Sequence, residues 1–234
     1  MISRRNAVLG LSALASVAAS ASVNAQQSCE VFTPTSQAAT TPDAALALLK
    51  AGNLRFVEGR TINCDLRKQV VATAEQQSPV AVVIGCIDSR VPPEMVFDQR
   101  LGDIFAARIA GNFVNTDILG SLEFATAAAG AKLIVVLGHT NCGAVKGAVD
   151  DVKLGNLTAM LANIRPSMSK LQYAGAPSSK NKKLVQDLAD QNAKDAVERI
   201  LTKSDVIAKL VSEGKVKVVS AMHDIGTGKI TWFS

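Results

Sequence analysis

Val80-Ala81-Val82-Val83-Ile84-Gly85 and Leu133-Ile134-Val135-Val136-Leu137-Gly138 are two short, continuous apolar runs that end in glycine. Runs without polar alternation are typical of strands that are buried on both faces. Between them, residues 104–109 predict a third strand, and residues 115–129 predict an Ala-rich helix that ends at Gly130. Strands that alternate with helices predict an α/β domain with a largely parallel sheet.

Helical patterns flank this central region on both sides. Apolar spacing predicts helices over 43–59 and 66–76, and a mostly helical chain from 156 to about 212 with a break at 174–179. The last predicted elements are two short strands, 216–220 and 230–233, joined by a turn at Gly226-Thr227-Gly228.

The composition predicts one globular domain. The 234 residues are 48% hydrophobic and 19% charged, with 4 Cys, which excludes collagen, coiled coils, low-complexity disorder and disulfide-dense miniproteins. The formal charge of +5 is mild, and no cluster of Lys and Arg is interleaved with aromatic residues. We therefore expect no nucleic-acid partner.

The first 25 residues resemble a twin-arginine export signal. Arg4-Arg5 precede an Ala/Ser-rich apolar run to Val23, and Val23 and Ala25 are small residues at positions −3 and −1 of a cleavage site. A membrane anchor and a chance Arg-Arg pair are the alternatives, although serines dilute the apolar run and leave it marginal for a span. Ala19-Ser20-Ala21 is an alternative cleavage site. We predict a periplasmic protein of formal charge +3, with no stable membrane association after signal removal.

The folded part of the mature chain is predicted to begin at residue 43. The polar segment 26–42 contains two prolines and predicts a flexible N-terminal arm, whereas 43–234 predicts a single domain. Cys29 and Cys64 are not metal candidates by their context. In an oxidising periplasm, a disulfide between them is one possibility.

Residues with reactive or metal-binding side chains follow both buried strands. Cys86, Asp88 and Arg90 come after the first, and His139 and Cys142 come after the second. Since α/β sheets place their sites at the carboxyl ends of strands, we expect these groups to converge. Two thiolates and an imidazole suit Zn²⁺ and leave a fourth position for water. The alternatives are buried free cysteines and an ordinary surface ion pair.

Three segments together resemble the β-class carbonic anhydrases. The resemblance implies a Rossmann-like, mostly parallel sheet of about four strands, with an added C-terminal edge strand and a wrapping of helices. It also implies a homodimer or a higher even-numbered homo-oligomer with active sites near the dimer interface. The matching segments, which lie in a resemblance running from about Pro42 to the C-terminus, are 85–94, 102–112 and 138–145.

The resemblance assigns the metal site residue by residue. Cys86, His139 and Cys142 match the ligands of one Zn²⁺ per chain, and Asp88 with Arg90 matches the catalytic Asp/Arg dyad beside the metal. In this family the aspartate either occupies the fourth metal position in an inactive form or pairs with the arginine and leaves that position to solvent. The implied reaction is zinc-dependent reversible hydration of CO₂ to bicarbonate and a proton by zinc-bound hydroxide.

The same resemblance assigns the substrate pocket. Gln77 matches a glutamine that hydrogen-bonds substrate, and Phe105 matches an apolar wall residue. Phe124 stands where many relatives have Tyr, so a role for that hydroxyl is lost here. Of the 2 His, only His223 remains when His139 is a ligand, so we expect external buffer to carry the proton. The alternative functions are a hydrolase of COS or CS₂, or a non-catalytic zinc- or bicarbonate-binding module.

Overall fold

Five strands form the sheet that positions the candidate site. The computed structural model describes residues 29–233, and the predicted export signal lies outside these residues. The strand order is β2-β1-β3-β4-β5; the first four strands are parallel, and β5 is antiparallel to β4. The strands are β1 (Ala81–Gly85), β2 (Ile104–Arg108), β3 (Leu133–His139), β4 (Lys217–His223) and β5 (Ile230–Trp232).

The two central strands, β1 and β3, correspond to the two apolar runs of the sequence. Every residue of β1 and β3 is buried, because helices cover both faces of the sheet and each strand has a neighbour on both sides. Their register pairs Gly85 with Leu137, so the residues after both strands emerge at one edge of the sheet. The predicted fold, a mostly parallel sheet with an added C-terminal edge strand, is confirmed.

The helices pack in layers around the sheet. The long helix α8 lies against β3 and β4, and eight of its residues are buried. A 3₁₀ helix over Arg165–Lys170 precedes it. The α-helices are α1 (Pro34–Ala39), α2 (Pro42–Val57), α3 (Leu66–Thr73), α4 (Pro93–Val96), α5 (Thr116–Glu123), α6 (Gly143–Val149), α7 (Gly155–Leu161), α8 (Lys182–Lys203) and α9 (Asp205–Ser212).

The helix predicted over 115–129 divides into two geometries. Asn115 caps α5 by accepting a hydrogen bond from the Ile118 N–H, and Phe124–Ala128 then form a π-helical turn. A π turn places one extra residue in the hydrogen-bonded ring, which an apolar pattern does not reveal. The chain leaves the turn at Gly130, whose φ of 81° suits glycine.

The part of segment 26–42 that the structure describes makes long-range contacts with the body of the domain. Thr33 caps α1, and the Gln37 side chain donates hydrogen bonds to the carbonyls of Pro79 (2.6 Å) and Ala129 (2.8 Å). A disulfide joins Cys29 to Cys64. The contacts of Gln37 and the disulfide are long-range, so the polar composition of the segment does not reveal them.

Three hydrophobic clusters fill the spaces between the sheet and the helices. The cluster at the carboxyl ends of β1 and β3 contains Cys86, Phe113 and Cys142, so two of the candidate ligands are themselves packed among buried side chains. Among the helices of residues 29–233, none combines the length and the apolar character that a bilayer span requires.

Candidate metal centre

Cys86, His139 and Cys142 converge at the carboxyl edge of the sheet. Cys86 follows β1, His139 ends β3, and Cys142 precedes α6 after the turn at Asn141, whose φ is 60°. One ligand atom from each side chain lies within 4.8 Å of the others, and the two sulfurs are 4.0 Å apart. All three residues are buried, because they lie at or just after the ends of two adjacent parallel strands that are themselves buried.

The imidazole of His139 is oriented for a ligand role. Its Nδ1 lies 3.0 Å from the Thr140 carbonyl oxygen, which fixes the tautomer that carries hydrogen on Nδ1. Nε2 is buried and makes no hydrogen bond with any residue of the described chain. A buried lone pair without a hydrogen-bond partner is costly unless something else binds it.

The residues fit Zn²⁺ in both donor chemistry and spacing. Tetrahedral zinc with bonds of about 2.3 Å to sulfur holds two thiolates about 3.8 Å apart. The observed separation of 4.0 Å is close to that value. Two sulfurs and one nitrogen form a donor set that favours zinc and leaves one tetrahedral position for a non-protein ligand.

Hydrogen bonds favour a thiolate at Cys86. Sharing of a proton with Cys142 lowers the pKa of the Cys86 thiol, against the effect of burial, and the same sharing raises the pKa of Cys142. The Gly111 N–H donates to the Cys86 sulfur at 3.3 Å. These hydrogen bonds therefore favour negative charge on the sulfur of Cys86.

Asp88 and Arg90 form a closed pair beside the cluster. Arg90 donates from Nε to Oδ1 (2.8 Å), from Nη2 to Oδ2 (2.7 Å) and from its backbone N–H to Oδ1 (3.0 Å). These bonds hold the pKa of the Asp88 carboxyl well below its usual range. Asp88 Oδ2 lies 3.9 Å from Nε2 of His139, so the carboxylate faces the cluster as an ionised acceptor.

Arg108 supports the same loop, a role that no sequence pattern predicted. Its Nε donates to the Cys86 carbonyl (2.9 Å), and its Nη2 donates to the Asp88 carbonyl (2.6 Å). Arg108 ends β2, directly opposite Gly85 of β1. Two strand ends in register could have signalled this contact, but only after the sheet order was known.

Gln77 and Phe105 do not join the cluster within one chain. Gln77 is exposed and precedes β1, at the opposite end of that strand from Cys86. Phe105 is the second residue of β2 and contacts the exposed ring of Phe124 at 6.1 Å between centroids. Five strand residues at about 3.3 Å each place roughly 16 Å of sheet between the two ends.

Comparison with known proteins identifies the family. The family model for carbonic anhydrase matches residues 81–230. This chain belongs to the carbonic anhydrase family. Carbonic anhydrase 2 of Mycobacterium tuberculosis strain H37Rv is 33% identical over 199 residues, which cover 81% of this chain and 92% of that protein. A carbonic anhydrase of Mycolicibacterium smegmatis is 34% identical over 195 residues, with the same two coverages.

Solved β-carbonic anhydrases share the fold. A structure from a report of two tetrameric enzymes of Sordaria macrospora matches at a TM-score of 0.60 and 28% identity, over 69% of this chain and 83% of that one. The β-carbonic anhydrase CafA of Aspergillus fumigatus matches at 0.62 and 26%, over 82% and 90%. The predicted CO₂ hydration and zinc cofactor are confirmed at the level of the family, and neither alternative function is favoured.

Proposed function

We propose that this chain hydrates CO₂ reversibly at a zinc ion held by Cys86, His139 and Cys142. The observation that carries the proposal is the convergence of three buried ligand atoms within 4.8 Å, with an ionised Asp88 facing them. When bound, Zn²⁺ lowers the pKa of a coordinated water toward neutrality and so supplies hydroxide for attack on CO₂.

Asp88 orients the nucleophile in this proposal. As an ionised carboxylate it accepts hydrogen bonds only, so it fixes the hydrogen of an attacking oxygen and leaves a lone pair directed at the carbon of CO₂. Arg90 keeps the carboxylate charged and in one orientation through three hydrogen bonds. The dyad therefore acts through geometry, while the proton released in the reaction leaves to buffer.

The direct test is stopped-flow CO₂ hydration on the chain from Gln26, between about pH 6.5 and 9 to bracket the expected titration of a metal-bound water. We expect turnover that scales with zinc content and disappears in Cys86→Ser. One zinc per chain without turnover at any pH would contradict the proposed reaction and leave the metal site standing. Rates that stay constant across buffer concentration, at fixed ionic strength, would contradict external proton transfer.

We propose further that the active form is a homodimer in which a second copy supplies Gln77 and Phe105. Within one chain these residues lie a strand length away from the ligands. β2 is the edge strand on their side of the sheet, and Ala106 and Arg108 on it are exposed. A two-fold axis beside this edge brings the amino end of one sheet toward the carboxyl end of the other.

Mixing two inactive variants tests the shared site. Gln77→Ala keeps the metal ligands, and Cys86→Ser keeps Gln77. If sites are shared, a hybrid dimer contains one complete site, and random exchange restores roughly a quarter of the wild-type activity. Full activity of Gln77→Ala on its own would contradict a role for Gln77. If activity is not restored although exchange of chains has been demonstrated, the shared site is contradicted.

We propose that residues 1–25 direct export to the periplasm by the twin-arginine route. The Arg4-Arg5 pair and the small residues at Val23 and Ala25 support this, as does the Cys29–Cys64 disulfide, since such bonds persist in oxidising compartments. Fractionation of cells that express the full chain should place a form beginning at Gln26 in the periplasm. Replacement of Arg4 and Arg5 by Lys should retain the protein in the cytoplasm, and unchanged export would contradict the route.

A further inference from the structure

Asn192 is a buried amide on the face of α8 that covers the sheet. It is 4% exposed and lies among buried apolar residues of the same helix, including Leu188, Ala189 and Ala193. An amide in such surroundings is costly unless it is hydrogen-bonded. Its Nδ2 donates to the carbonyl of Gly111 at 2.8 Å, across 81 residues of sequence.

Gly111 connects this amide to the candidate metal centre. The N–H of the same residue donates to the sulfur of Cys86 at 3.3 Å. Gly111 has a φ of 82°, and a Cβ on it would lie 2.4 Å from Cδ1 of Ile164, so only glycine fits at this close approach. The next residue, Asn112, donates its N–H to the Ile109 carbonyl at 2.9 Å and keeps the turn tight.

We propose that Asn192 is a positioning residue for the zinc ligand Cys86, acting through the Gly111 turn. The inference rests on the proposed zinc site and adds a residue to it that lies outside the three ligands and the Asp88–Arg90 pair. Asn192 binds the carbonyl of Gly111, and this holds the N–H of Gly111 toward the sulfur. The N–H then withdraws electron density from the thiolate and fixes the direction of its lone pairs.

Loss of the amide leaves the rest of the turn without its anchor to α8. The Gly111 carbonyl becomes an unpaired buried acceptor, so the turn shifts toward a new partner and its N–H moves off the sulfur. A thiolate without this donor carries more charge, which should shift its charge-transfer band. Its orientation is also less fixed, and this loss should outweigh the stronger donation from sulfur. We therefore expect the metal to bind more weakly, by about 10- to 100-fold, as is typical when a group that orients a ligand is removed.

The test uses Co²⁺ in place of zinc, because the thiolate-to-cobalt charge-transfer band reports the electron density on sulfur independently of turnover. Asn192→Leu removes the donor at similar volume, and Asn192→Ala is read in the same way if the leucine variant does not fold. Ile200→Ala is the matched control, since it removes buried packing eight residues further along α8. Zinc affinity is measured by competition with a chelator, and stability by thermal unfolding.

We expect the Asn192 variants to shift the charge-transfer band and to lose about 10- to 100-fold in zinc affinity. Ile200→Ala should lower thermal stability while it keeps the wild-type band and affinity. A wild-type band and affinity in the Asn192 variants, or equal shifts in Ile200→Ala, would overturn the positioning role while the zinc site stands. A wild-type protein that gives no thiolate-to-cobalt band would overturn the zinc site itself and this inference with it.

Discussion

Arg90 binds both carboxylate oxygens of Asp88, which precedes it by two residues in the same turn. The side chain of Arg90 is half exposed, whereas that of Asp88 is only 16% exposed and faces Nε2 of His139. The arginine therefore closes the solvent side of the carboxylate and leaves its inner side for chemistry.

Replacement of Arg90 by Gln should lower kcat/KM for CO₂ hydration by about 10- to 100-fold, with unchanged zinc content. The carboxylate loses two side-chain hydrogen bonds that orient it. Arg90 lowers the pKa of Asp88, but the ordinary value of 3.8 already leaves the group charged near neutrality. The defect should therefore be constant between about pH 6.5 and 9, where a metal-bound water titrates.

The matched control for this prediction is Arg60→Gln, which breaks an exposed ion pair with Glu58. It should leave the rate unchanged. A defect of Arg90→Gln that disappears at high pH would mean that ionisation of the carboxylate, rather than its orientation, depends on Arg90.

His223 should make the fold sensitive to acid. Burial lowers its pKa below the ordinary value of 6.5, and in the described chain neither ring nitrogen has a hydrogen-bond partner. Below about pH 6.5 the unfolded chain takes up a proton that the folded chain does not, so stability falls as pH falls, by at most about 1.4 kcal/mol per pH unit. Asp224 and Asp88 oppose this effect, and His139 adds to it.

His223→Leu removes this contribution and should flatten the loss of stability between about pH 7.5 and 5.5, on either side of the ordinary histidine pKa. Urea unfolding of both proteins at the two pH values measures the difference in slope. Groups common to both proteins cancel in this difference. Parallel pH dependence in the two proteins would show that His223 carries its proton when folded.

Removal of zinc should make Cys86 and Cys142 oxidisable. Their sulfurs are 4.0 Å apart, so a disulfide of about 2.05 Å requires an approach of about 2 Å, and bound metal opposes it by coordinating a lone pair on each sulfur. After treatment with an oxidant, the chelated protein should show no free thiols on denaturation, and the zinc-loaded protein should keep two. Chelated Cys86→Ser is the control, since its single remaining thiol cannot form the internal bond. Two thiols surviving in the oxidised, chelated protein would contradict the prediction.

The disulfide between Cys29 and Cys64 should stabilise the fold by about 3–4 kcal/mol, because it closes a loop of 35 residues in the unfolded chain. The variant with both cysteines changed to Ser should lose this amount in denaturant unfolding. A reductant should lower wild-type stability to the same level and leave the variant unaffected. A variant as stable as wild type would show that the contacts of α1, including those of Gln37, are sufficient.

The buried strands and their ends were predictable, because fully apolar runs report burial on both faces and glycines mark where the chain turns. The convergence of Cys86 and His139 followed from the expectation that neighbouring parallel strands end at one edge. The support around them was not predictable. Arg108 and Asn192 act 22 and 81 residues away from the groups they contact, and no local pattern encodes such pairs.

Local geometry accounts for most of the other differences. The π turn at Phe124–Ala128 inserts a residue without changing the apolar pattern. The contacts of Gln37 in α1 with two distant carbonyls are long-range and have no local signal. Gln77 is a different case, because its match to a substrate-binding residue predicts a role but does not predict which copy of the chain would perform it.

The disulfide and the two free cysteines lie at opposite ends of the strands of the sheet. Arg100, shortly before β2 begins, contacts the Glu30 carbonyl beside Cys29, which places the disulfide at the amino edge of the sheet, while Cys86 and Cys142 lie at the carboxyl edge. Thiol–disulfide exchange requires a thiolate to touch a disulfide sulfur, and a rigid, filled sheet prevents that contact. Once folded, the chain can be oxidised at one edge and remain reduced at the other, so scrambling of its four cysteines is confined to the time before the sheet forms.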